Sequence, residues 1–136
     1  MVIVDTSVWS LAFRRKRRQR SAEASTAELA RLIDQGEALI AGPIRQELLS
    51  GVVTQAQFRL LRTRLEPFPD LPIVSADHES AAMCFNQCRA RGIQGSNTDY
   101  LICALALRVQ VPVFSADRDF GRYAGILGVR LHAIAA

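Results

Sequence analysis

Met1-Val2-Ile3-Val4-Asp5-Thr6-Ser7-Val8-Trp9 decides the fold. Residues 1–4 are a short apolar run rich in β-branched side chains that stops at an acid, the pattern of a buried parallel strand delivering a polar group at its carboxyl end. Thr6 or Ser7 can cap a helix that carries Val8, Trp9, Leu11 and Ala12. A strand running straight into a helix is the repeating unit of an α/β protein.

The rest of the chain keeps that alternation. Ser25 and Glu28 have capping-box spacing, and Leu29, Leu32 and Ile33 form the apolar stripe of a helix that stops near Gly36. Residues 38–41 read as a second strand. Gly42-Pro43 breaks the chain and places proline at a first helical position, so residues 44–50 form a short helix, with Glu47 in its middle, closed by Gly51. A helix follows over 54–65, and Pro67, Pro69 and Pro72 forbid helix beyond it. Ile73 and Val74 are a minimal third strand. Helical spacing returns over 77–91 and ends at Gly92. Ser96 with Asp99 repeats the capping-box pattern ahead of an almost wholly apolar, and therefore deeply buried, helix over 100–107. Residues 111–114 form a strand, followed by a short helix ending near Gly125 and a last edge strand over 129–134. The expected architecture is a single α/β domain over 1–136, a three-layer α/β/α sandwich around a mostly parallel sheet.

Charge is unevenly placed. The chain has 136 residues, with 17 Lys and Arg against 13 Asp and Glu. Six of those cations are Arg14, Arg15, Lys16, Arg17, Arg18 and Arg20, and without them the balance is 11 against 13. Such a run is either a solvated surface segment or a contact for a polyphosphate such as RNA. No apolar stretch approaches the ~18–20 residues of a membrane span. The acid at position 5 is at odds with a signal peptide, so a cytoplasmic protein without membrane association is expected. Cys84, Cys88 and Cys103 are odd in number, which fits reduced core thiols better than disulfides.

In a parallel α/β sheet, ligands bind at the carboxyl ends of the strands. Asp5 ends the first strand, Asp117 follows the strand over 111–114, Asp99 lies in the first turn of the buried helix, and Glu47 reaches the same edge from its short helix. Each has a structural alternative: Asp is common as a helix cap and Glu47 alone would pass as a solvated residue. Gathered in one cleft, however, four carboxylates repel one another unless one is protonated or a cation is present. All-oxygen ligands favour Mg2+ or Mn2+ over zinc. A metal so held activates water and neutralises charge on a phosphodiester, so the expected reaction is metal-assisted phosphodiester hydrolysis.

Four stretches in order resemble a PIN domain, and more narrowly a VapC-type toxin of a VapBC toxin–antitoxin pair. They are residues 1–9, Gly42-Pro43-Ile44-Arg45-Gln46-Glu47-Leu48-Leu49-Ser50-Gly51, Asp99-Tyr100-Leu101-Ile102-Cys103-Ala104-Leu105-Ala106, and Phe114-Ser115-Ala116-Asp117-Arg118-Asp119-Phe120. The resemblance implies a Mg2+- or Mn2+-dependent ribonuclease acting on transfer or ribosomal RNA. It makes Asp5, Glu47, Asp99 and Asp117 the catalytic and metal-binding acids and Asp119 an auxiliary. Thr6, Ser7 and Ser115 become hydroxyls that hold those acids or metal-bound waters. Ser115 stands where many members have threonine, which keeps the hydroxyl; the basic run is less usual in the family. The resemblance further implies a homodimer neutralised by a VapB-type antitoxin, and Trp9, Leu11 and Phe13 are candidates for a partner-facing patch, with ordinary core as the alternative.

Rival functions fail on single residues. A phosphorylation receiver needs a lysine at a late strand end, but Lys16 is the only lysine. A haloacid-dehalogenase-like phosphatase needs an acid where Ser7 stands. A catalytically silent PIN-fold module that binds nucleic acid or protein, and a DNA nuclease of related fold, remain open.

Overall fold

The computed structural model describes residues 1–13 and 20–134; the side chains of residues 20 and 21 lie outside that description, so the basic run does too. Strand β1 (Val2–Val4) is central in a three-stranded sheet of order β2-β1-β3, with β2 at Ala38–Leu39 and β3 at Val113–Phe114. Both pairings are parallel, with Val2 beside Ala38, Ile3 beside Leu39 and Val113, and Val4 beside Phe114. All three β1 side chains are buried, as a strand covered on both faces requires.

Among the described residues the helices are α1 (Thr6–Phe13), α2 (Arg20–Asp34), α3 (Gly42–Leu49), α4 (Gln55–Leu65), α5 (Ser75–Ala90), α6 (Asn97–Val109) and α7 (Asp119–Leu127). Helix α1 packs on α2 and α3, α3 on α4, and α5 on α6 and α7. Helix α6 is the most enclosed, with Tyr100 through Ala106 all buried. It ends where Gln110 adopts a left-handed φ of 56°. Cys84, Cys88 and Cys103 are free and buried in α5 and α6; burial pushes the Cys84 and Cys103 thiols upward, away from the reactive thiolate.

Several elements depart from the sequence reading. Helix α2 begins at Arg20, so Ser25 and Glu28 lie in mid-helix and form no cap. Both are buried, and Glu28 is drawn to Arg31 and to His132 of the C-terminal segment. The extra strand over 73–74 is absent. Its place at the β2 edge goes to a bridge between Ile40 and Asp70, with Leu71 N–H donating to Ile40 O at 2.8 Å. Arg45 clamps that segment through Asp70, Leu65 O and Phe68 O, while the Asp77 carboxylate captures Val74 N–H at 2.9 Å for the start of α5. The expected edge strand over 129–134 reduces to a bridge between Val113 and Leu131, and α7 continues past Gly125 to Leu127, where Gly128 caps it.

Trp9 is core, not a partner-facing residue. It is fully enclosed, donates Nε1–H to Val4 O at 3.0 Å, and packs edge-on against Phe68. Leu11 and Phe13 remain half-buried, with the Arg64 guanidinium 4.6 Å above the Phe13 ring.

Candidate active site

Asp5 lies where β1 hands over to α1. Its N–H donates to Phe114 O at 2.8 Å, which fixes the carboxyl end of β1 beside that of β3. The side chain is 4% exposed. Oδ2 accepts the Ser7 hydroxyl at 2.7 Å, the Ser115 hydroxyl at 2.9 Å and, weakly, Ser7 N–H at 3.3 Å. Asp5 therefore also caps α1, a role the sequence reading gave to Thr6 or Ser7. The serine oxygens are used twice: Ser7 Oγ accepts Ala116 N–H and Ser115 Oγ accepts Asp117 N–H, both at 2.9 Å. Two hydroxyls thus orient one carboxylate and tie it to the turn that carries Asp117.

Asp99 is half-buried in the first turn of α6, where its N–H donates to Ser96 Oγ at 3.0 Å. Its Oδ2 accepts the Tyr123 hydroxyl from α7 at 2.9 Å. Burial raises the carboxyl above its usual range, the Tyr123 hydrogen bond opposes this, and the charges of Asp5 and Asp117 raise it further. Burial, and the hydrogen bond to Asp99, push the Tyr123 hydroxyl far upward, so it stays protonated and remains a donor. Sequence reasoning missed Tyr123, whose spacing from Phe120 reads as ordinary core; it missed Gly95 as well. A β-carbon at Gly95 would lie 2.8 Å from Tyr123 Cζ and 3.0 Å from Tyr100 Cζ, so only glycine lets both rings approach.

The other acids sit at the rim. Asp117 is exposed, and its Oδ1 accepts Asp119 N–H at 2.9 Å, capping the start of α7. Asp119 itself lies beside Tyr123, whose hydroxyl its charge also raises. Glu47 is exposed on α3 and accepts the Thr6 hydroxyl at 2.8 Å. Arg14, Arg15, Lys16, Arg17, Arg18 and the Arg20 side chain lie outside the described residues.

Among the described residues no three His, Cys, Asp or Glu side chains are grouped closely enough to hold a metal ion between them. The donor chemistry nevertheless fits a hard divalent cation. Mg2+ keeps several waters and is bound through one or two carboxylates, and the Asp99 carboxyl is raised by the like charges of Asp5 and Asp117, with no cationic side chain among the groups that shift it. Also among the described residues, no helix is long and apolar enough to cross a membrane.

A parallel sheet whose central strand delivers an acid to a carboxylate-lined edge is the frame of a PIN domain. The chain belongs to that family: the PIN domain profile matches residues 2–126. PIN domains are generally nucleases that use divalent metal ions. FitAcB from Neisseria gonorrhoeae superposes with a TM-score of 0.77 at 22% identity, covering 98% of this chain and 97% of that one. FitAB bound to an IR36 DNA fragment gives 0.73 at 20%, covering 97% and 94%. VapBC2 from Rickettsia felis, bound to a DNA fragment from its promoter, gives 0.72 at 16%, covering 97% and 98%. At these identities the likeness is one of fold. No curated protein matches the sequence.

Proposed function

We propose that this protein is a divalent-metal-dependent endoribonuclease, the toxin of a toxin–antitoxin pair, with Asp5, Glu47, Asp99 and Asp117 as its catalytic and metal-binding acids. The observation that carries the reading is the placement of Asp5 at the carboxyl end of β1, tied through Ser7 and Ser115 to the turn that carries Asp117, with the charge of both acids felt by the half-buried Asp99, a concentration of negative charge that a cation relieves. Mg2+, for which Mn2+ can substitute, supplies charge neutralisation and an acidified water when bound there.

The chain's own groups orient that chemistry. Ser7 and Ser115 fix Asp5 Oδ2, leaving Oδ1 without a hydrogen-bond partner among the described residues and available for a cation. Tyr123 holds Asp99 Oδ2, which leaves Oδ1 for the same role. Thr6 holds Glu47 beside the first turn of α1. Asp119 is an auxiliary acid at the rim.

RNA is favoured as substrate by family resemblance and by the basic run at 14–20. The similar structures named FitAcB, FitAB and VapBC2 support a VapB-type antitoxin as partner. The same reading makes the protein a cytoplasmic homodimer. The lack of three grouped metal-capable side chains among the described residues favours a second reading, a PIN domain that binds nucleic acid without cutting it.

Cleavage of a mixed small-RNA pool with Mg2+, with Mn2+ and with chelator, beside Asp99→Ala, separates the two. Metal-dependent fragments absent from the variant are expected. An intact pool with wild-type protein that also fails to bind Mg2+ would establish the silent module.

A further inference from the structure

We propose that the open groove between α5 and the first turn of α6 receives an unstacked nucleobase of single-stranded RNA beside the bond to be cut. The inference rests on the nuclease reading and extends it to substrate selection. The groove has a volume of 510 Å³, within the ~300–1,000 Å³ of small-ligand sites, and is lined by His78, Phe85, Asn86, Asn97, Thr98 and Tyr100 among others.

Three observations point to a base. Phe85 stands edge-on to Tyr100 with ring centroids 5.5 Å apart, and its half-buried ring offers a stacking surface. No side-chain hydrogen bond among the described residues involves His78, Asn86, Asn97 or Thr98, so their donors and acceptors are free. The two planar amides each carry a donor and an acceptor, the pattern needed to read a base edge. The lining includes no Lys, Arg, Asp or Glu, so the groove carries no permanently charged side chain and suits an uncharged planar group better than a phosphate.

Position supplies the link to the cleft. Asn97 and Thr98 share the first turn of α6 with Asp99. The Tyr100 ring packs 5.1 Å from that of Tyr123, whose hydroxyl holds Asp99. A base seated on Phe85 therefore leaves its adjoining phosphate next to the acidic edge. This assigns Asn86, Asn97 and Phe85 to specificity, with the metal-binding acids responsible for the cut.

The test uses the full chain carrying Asp99→Asn, so that RNA is bound without being cut, and six-nucleotide homopolymers of each base followed by fluorescence anisotropy in Mg2+. At least a tenfold preference for one base is expected, reduced below threefold by Asn86→Ala and by Phe85→Ala. Asn86 is exposed, so its variant folds even if the loss of Phe85 disturbs packing. A preference that survives both changes, or equal binding of all four homopolymers, overturns the proposal. So does a dimer that Asn86→Arg converts to monomer in sedimentation, because the groove would then be an interface between two copies. Wild-type cleavage measured in parallel separates the two readings. Base-selective binding without any cutting supports the groove and removes the nuclease, whereas metal-dependent cutting with unaltered base preference does the reverse.

Discussion

The Tyr123 hydroxyl donates a 2.9 Å hydrogen bond to Oδ2 of Asp99, joining the first turn of α6 to α7 across 24 positions of sequence. That bond, with a smaller contribution from Ser96, opposes an environment of burial and like charge that disfavours the Asp99 charge, and the behaviour of the site turns on the balance.

Asp99→Asn should raise thermal stability in chelator at neutral pH by about 0.5–2 kcal/mol, since it removes a penalised charge while keeping an acceptor for Tyr123. The folded carboxyl titrates above its unfolded value near 3.8, so the charge penalises folding as pH rises through that value and beyond. The gain should therefore fade below pH ~4, where Asp99 is protonated in both states. Melting curves with chelator and with Mg2+ check this; saturating Mg2+ should cancel or reverse the difference.

Gly95→Ala should cost about 1–3 kcal/mol, because the new methyl forces the Tyr123 and Tyr100 rings aside. Tyr123→Phe should cost about 1 kcal/mol. The two effects should be less than additive in the double variant, since both act on the Tyr123–Asp99 bond. Denaturant unfolding of the four proteins measures the coupling.

Ser7→Ala and Ser115→Ala should each lower cleavage about 10- to 100-fold, the usual range for partners that orient a metal ligand. Together they should lose less than the product of the single effects, because both hydroxyls serve the same oxygen of Asp5. Initial rates against Mg2+ concentration distinguish weakened metal binding from a slower chemical step.

Glu28 should dominate one acid-unfolding transition. Arg31, together with His132, holds its carboxyl at about pKa 2 against the cost of burial. Its folded value lies below its unfolded value near 4.5, so its contribution is complete above that pH and disappears as pH falls toward 2. Glu28→Gln should lower stability at pH 7 by about 1–3 kcal/mol and flatten the decline below pH 4.5. Chemical unfolding between pH 2 and 7 gives both numbers.

Replacing Arg14, Arg15, Lys16, Arg17 and Arg18 with Gln should weaken RNA binding and reduce the slope of log K against log salt by about 0.7 for each single-strand phosphate that the run no longer neutralises. Mg2+ affinity should not change. An unaltered slope would return the run to solvated surface.

Periodicity and punctuation in the sequence determined the alternation of strands and helices. The branched run before Asp5, Gly42-Pro43, and Ser96 ahead of α6 are local signals, and each occurs where backbone sterics or capping acts within a few residues. They also made Asp5 and Asp117 neighbours, because each follows a parallel strand and parallel strands share a direction; Asp99 comes from the first turn of α6. Local signals misled where distant partners prevailed. Ser25 and Glu28 have cap spacing, yet Glu28 is taken by Arg31 and by His132, 104 positions away. Ile73 and Val74 have strand character, yet Arg45 and Asp77 hold their surroundings in another path.

Only the tertiary structure decided which oxygen of Asp5 the serines occupy, that Tyr123 holds Asp99, and that a groove opens beside the first turn of α6. The physical reason is the range of the forces. Capping and periodicity are set by neighbours in sequence, whereas the Ser115–Asp5 contact joins residues 110 apart and exists only once β1 and β3 have paired.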